Sequence, residues 1–185
     1  SLYFSTMGLL GGVISWSMLQ NGFHISDTLS MNGFKLMENV LLMNYFLEGA
    51  LVGFGLGMVF QVRVSIWYHH DLVLLLSKML LGALFGAIIG LFSFAFGYFL
   101  QVFEISLWLS RITSWTILGL LLLVTTELFR LDSGFILPRI VSGGIGGLIG
   151  GVIFELLLLY QISGPGHLYG LIIVGFSISF FSVIN

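Results

Sequence analysis

Glu48, Arg111 and Glu155 stand out because each lies inside, or at the edge of, a long apolar run. An ionisable side chain there is costly unless something holds it, so each is a candidate for function. Two carboxylates and a guanidinium brought together could bind a cation or relay a proton. They could equally clamp three helices as an ion pair, or snorkel to the interface. Glu155 follows Arg139 by sixteen residues, roughly 24 Å of helix, and so lies far from the boundary that Arg139 marks. Glu48, near the start of its own run, and Arg111, entering another run from the same side, reach a similar depth. The spacing therefore predicts one polar cluster of Glu48, Arg111 and Glu155 in the outer part of a bilayer, and we weigh a structural role for it above a catalytic or binding one.

The other ionisable groups carry weaker signals. Glu127 precedes Arg130 by three residues, the spacing of a helical ion pair. His69-His70-Asp71 has the residue types of a metal or proton site. Adjacent helical residues point about 100° apart, however, so a solvated cap on the next helix is the better reading. His24, Asp27 and His167 would meet only if the intervening loops folded together. Ser110, Ser114, Thr125 and Thr126 can bond to carbonyls of their own helix, the usual fate of hydroxyls in a membrane. With no cysteine there is no thiol nucleophile, disulfide or cysteine metal site. No lipase-type serine elbow, zinc-protease helix, phosphate loop or dinucleotide fingerprint occurs. The reading is non-enzymatic: no catalytic residues, no cofactor and no metal are expected.

The elements that must position these residues are membrane helices. Of the 185 residues, 58% are hydrophobic and 8% charged, where soluble domains carry about 25% charged residues. The mean hydropathy is +1.11. The net charge of −2, with six scattered basic residues, excludes nucleic acid as a partner, which requires clustered Lys and Arg. The expected fold is all-α, one polytopic membrane domain over residues 1–185. Six spans are expected, at about residues 2–20, 40–62, 72–100, 107–129, 139–161 and 167–184. Between the first two, residues 21–39 read as a polar connection in which Asp27 caps a short surface helix. Arg63 to Asp71 reads as a headgroup-level link, and the long third span has room to tilt or bend near Gly97.

Glycines recur at helical spacing within these spans: Gly49, Gly53, Gly57; Gly82, Gly86, Gly90; Gly143, Gly147, Gly151; and Gly8, Gly12. Gly144, Gly146 and Gly150 add a second face to the fifth span. Each interior glycine weakens a helix in water by roughly 0.8–1.0 kcal/mol relative to alanine. In a bilayer the same spacing lets helices approach closely, so a bundle packed through glycine zippers is expected. Arg63, Lys78, Arg130 and Arg139 flank one set of loops and Lys35 and Arg111 the other. By the positive-inside rule both termini are cytoplasmic. The chain opens on Ser1, and we read it as continuing a longer sequence.

The string from Arg139 through the glycine run to Phe154-Glu155, followed by a polar turn and Gly170-Leu-Ile-Ile-Val-Gly175-Phe, resembles the multi-pass regions of bacterial membrane proteins that often carry a forkhead-associated domain, a phosphothreonine reader. The likeness covers the C-terminal segment from Arg139 on. It implies a membrane anchor or scaffold in the inner membrane, other membrane subunits as partners, and a cytoplasmic signalling domain outside this sequence. It transfers no catalytic residues. Two alternatives remain open: a small-solute or ion transporter using the Glu48/Arg111/Glu155 cluster, and a substrate-capture subunit with an outward pocket roofed by residues 21–39.

Overall fold

The computed structural model describes residues 2–31, 37–68, 72–128, 136–159 and 166–184. Among them are six helices and no strand: α1 Leu2–Met31, α2 Met37–Tyr68, α3 Leu72–Val102, α4 Leu107–Leu128, α5 Ile136–Leu159 and α6 Gly166–Ile184. Four contain stretches long and apolar enough to cross a membrane: Tyr45–Val62, Leu72–Val102, Leu107–Glu127 and Leu137–Leu159; α6 has a shorter one, Leu168–Ser182. An integral membrane protein follows from these four.

Three connections differ from the sequence expectation. Residues 21–31 continue α1 rather than forming a polar connection. One Asn-Gly pair weakens a helix only modestly, and turn signals end helices that have water as an alternative partner. The second helix likewise runs past Val62 to Tyr68, through two-thirds of the expected headgroup link. A helix need not stop where the hydrocarbon stops. The fifth helix starts before the expected residue 139, with Pro138 in its first turn, where a missing N–H leaves no hydrogen bond unmade. The third helix continues unbroken through Gly97.

Each helix packs on its neighbours in sequence, and α1 closes the ring on α6; α4 also touches α2 and α6. The even-numbered helices meet near the centre, where Leu56 of α2 lies against Gly175 of α6. Trp115 of α4 is fully buried there. Its ring lies 5.1 Å from that of Phe94 on α3, edge-on, and 5.1 Å from that of Phe154 on α5. Leu118, Leu122, Val174 and Ile178 continue the core along the same axis.

Antiparallel pairs fit together in steps of four residues. Gly49, Gly53 and Gly57 of α2 face Gly90, Gly86 and Gly82 of α3, so close that a Cβ at Gly53 would fall on the carbonyl of Gly86. Trp115, Gly119 and Leu123 of α4 face Gly151, Gly147 and Gly143 of α5. On its other side, α5 sets Gly146 and Gly150 against Ile178 and Val174 of α6, while Gly8 and Gly12 of α1 meet Gly175 and Leu171 of α6. Rows of residues four apart are the ridges that helices interlock. Without side chains in those rows, the backbones gain many dispersion contacts, each small and together large.

The turn from α3 to α4 is tight. The N–H of Ile105 donates to Leu100 O at 3.2 Å and that of Glu104 to Gln101 O at 3.0 Å. This is a Schellman cap, with Glu104 in the left-handed position (φ 60°) that glycine usually takes. The cap delivers Arg111 to the first turns of α4 beside the end of α3.

Alanine at Gly53 or Gly86 should destabilise the protein by about 1–3 kcal/mol, the range for overpacking a filled contact. Leu84→Ala, on the exposed side of α3, should change stability by less than about 0.5 kcal/mol. Reversible unfolding in mixed detergent micelles measures both. Equal effects at the glycines and at Leu84 would contradict this packing.

Candidate functional site: two charged layers

Arg111 of α4 stands between two carboxylates. Its Nε lies 2.8 Å from Glu155 Oε1 of α5, and a terminal nitrogen lies 4.0 Å from Glu48 Oε1 of α2. The structure thus brings Glu48, Arg111 and Glu155 together. The approach to Glu155 is close but not directed: Oε1 is buried and receives no hydrogen bond. It is a charge contact, with the Arg111 guanidinium also 5.7 Å from the centre of the Phe154 ring, within reach of a cation–π attraction.

A neutral network flanks this layer. The side-chain amide of Gln101, near the end of α3, donates to Tyr45 Oη at 2.8 Å and to Ser110 Oγ at 2.9 Å. Tyr45 is one helical turn before Glu48, and Ser110 adjoins Arg111. Gln101 therefore links α2, α3 and α4 beside the charges. Sequence reasoning missed Gln101 and Tyr45. The available signal was an amide closing an apolar run and a tyrosine three residues before an intramembrane acid.

A second layer occupies the opposite ends of α4 and α5. Arg139 Nη1 donates to both carboxylate oxygens of Glu127, at 3.3 and 3.1 Å. This partner was not expected for Glu127; Arg130, the one that was, lies outside the described residues. Glu127 follows Arg111 by sixteen residues, as Glu155 follows Arg139, so the layers are roughly 24 Å apart. Each of the four groups opposes the dipole of its own helix, with an arginine near each N-terminus and a glutamate near each C-terminus. Each placement alone is unfavourable by roughly 0.3–1 kcal/mol. Antiparallel pairing offsets it, because one register satisfies both pairs.

Between the layers the polar atoms are mostly hydroxyls bonded to helix carbonyls. Ser93 donates to Ile89 O at 2.8 Å and Ser114 to Ser110 O at 3.0 Å. Ser15 donates to Gly11 O and also, at 3.0 Å, to Val52 O, tying α1 to α2. Each of these hydroxyls donates its proton to a backbone carbonyl rather than to a carboxylate. His69, His70 and Asp71, and the side chains of His24, Asp27 and His167, lie outside the described residues. Among the described residues no group of three or more His, Cys, Asp or Glu could hold a metal ion.

Removing one partner of the Arg111–Glu155 pair, by Glu155→Gln or Arg111→Gln, should destabilise by about 3 kcal/mol, near the lower end for breaking a buried pair because Arg111 remains partly exposed. The double change Arg111→Met with Glu155→Leu should recover most of that loss. Glu48→Gln should cost less than about 1 kcal/mol, as for a loose, partly exposed pair. A double-mutant cycle on unfolding free energy measures the coupling; additive losses would contradict it. No protein-family model, curated protein or solved structure matches the chain, so its function has to be read from this geometry.

Proposed function

We propose that the chain is a non-enzymatic integral membrane subunit, a structural or regulatory scaffold within a larger bacterial inner-membrane assembly. In this reading all six helices cross the bilayer as a bundle held by glycine zippers, with both termini cytoplasmic as the arginine and lysine distribution favours. The observation that carries it is the filled axis. Leu56, Trp115, Leu118, Val174 and Ile178 are almost wholly buried in the region between the two charged layers. A scaffold requires that rigidity, whereas a solute path would require polar groups along it.

The surfaces support the same reading. The described glycine rows are used inside the bundle, facing other helices of the same chain. Outward, α3 presents Leu72, Leu76, Leu80, Leu84, Ile88, Phe92 and Phe96, all exposed and four residues apart. That ridge meets lipid or the helices of a partner subunit. The likeness of the Arg139 to Phe176 segment to membrane regions associated with forkhead-associated domains agrees with an anchoring role and with a signalling domain outside this sequence. A transporter or substrate-capture subunit is the alternative; the helical course of residues 21–31 makes the latter, with its loop over an outward pocket, the less favoured of the two.

Extraction at native expression in mild detergent, followed by mass spectrometry, should recover the chain with a stoichiometric set of partner proteins. Recovery alone, with a retained solute, would overturn the scaffold reading. The cysteine-free sequence permits a second readout: Leu118→Cys and Val174→Cys should resist a membrane-impermeant thiol reagent from both sides. Labelling at these positions would favour a transport path.

A further inference from the structure

Among the described residues, the charge at the Glu48 end does not balance. Among the described residues this layer holds two carboxylates, Glu48 and Glu155, around one guanidinium, Arg111. Arg111 is shared unevenly, at 2.8 Å from Glu155 and 4.0 Å from Glu48. Glu155 is only 5% exposed, and its Oε1 still lacks a hydrogen bond. A carboxylate in apolar surroundings is unfavourable when neither paired nor hydrogen-bonded, and it resolves this by taking up a proton or a cation.

The surroundings decide between the two. Glu48 is faced by Arg111 of α4, which Glu155 of α5 shares; one turn before Glu48, Tyr45 accepts from Gln101 and packs beside Tyr98, both of α3. Glu104, exposed at the turn after α3, adds another negative charge to this end, and the described side chains of α1 and α6 carry no charge. No second cation is present among them. A metal ion would need a shell of about six oxygens, and among the described residues no group of three or more His, Cys, Asp or Glu could hold one. A proton needs only the carboxylate.

We infer that Glu48 and Glu155 form a proton-binding carboxylate pair around Arg111, exchanging one proton with the aqueous phase at this end of the bundle. With the proton on Glu48, Arg111 and Glu155 balance each other. Without it, both carboxylates compete for one guanidinium. The site does not depend on the scaffold reading: a subunit of an assembly and a transporter could each carry it.

Infrared difference spectroscopy of the full chain in lipid nanodiscs, recorded while pH is stepped, tests it. The expected signal is a reversible protonated-carboxyl band at the frequency of a water-shielded group, with the amplitude of one carboxyl. It should be absent from Glu48→Gln, which is expected to fold, and unchanged in Glu104→Gln. Persistence of the band in Glu48→Gln, its loss in Glu104→Gln, or its absence from the native protein would each overturn the inference. Helicity by circular dichroism and a monodisperse elution profile confirm that Glu48→Gln is folded.

Discussion

The bundle depends on backbone meeting backbone. At Gly53 and Gly86, and again at Gly119 and Gly143, a Cβ would strike a carbonyl of the facing helix. Lipid offers no hydrophobic drive for one apolar helix to prefer another over the surrounding chains. What remains is the number of close atomic contacts, and that number rises when side chains are removed from the interface. Glycine rows four residues apart therefore determine which helices pair and in which register. Trp115, Phe94 and Phe154 then fill the space left between the pairs.

Charge acts on the same register. Arg111 with Glu155, and Glu127 with Arg139, meet only when Gly119 and Gly147 also face each other, since all three pairs belong to one antiparallel alignment of α4 and α5. Sliding one helix by a turn would separate both ion pairs and move Trp115 off Gly151. The pairs add little net stability, because bringing charges out of water offsets much of their attraction. They penalise alternatives strongly, which suits a hairpin whose glycine row by itself could engage at several steps.

Much of this was legible in the sequence because it rests on spacing. Rows such as Gly49, Gly53, Gly57 are visible without a structure, and an isolated glutamate in an apolar run requires a partner or a route to the interface. The convergence of Glu48, Arg111 and Glu155 followed from counting residues from assumed boundaries. Pairing across helices was less legible. Arg139 binds Glu127 from twelve residues away, and only the register reveals it. Gln101 and Tyr45 come from different helices and share no spacing. The length of α1 was misread because Asn21-Gly22 and the polar residues after it signal a turn in water, whereas a helix already formed can carry through them.

The register of these helices is tested most directly by disulfide trapping between α4 and α5. Leu120 of α4 lies against Gly144 of α5, within 2.8 Å of where its Cβ would be. Disulfides require Cβ atoms about 3.5–4.5 Å apart. In the cysteine-free chain, Leu120→Cys with Gly144→Cys should cross-link rapidly in membranes, and Leu120→Cys with Leu148→Cys should not. Efficient cross-linking of the second pair, with none of the first, would place the helices a turn out of register and contradict the account.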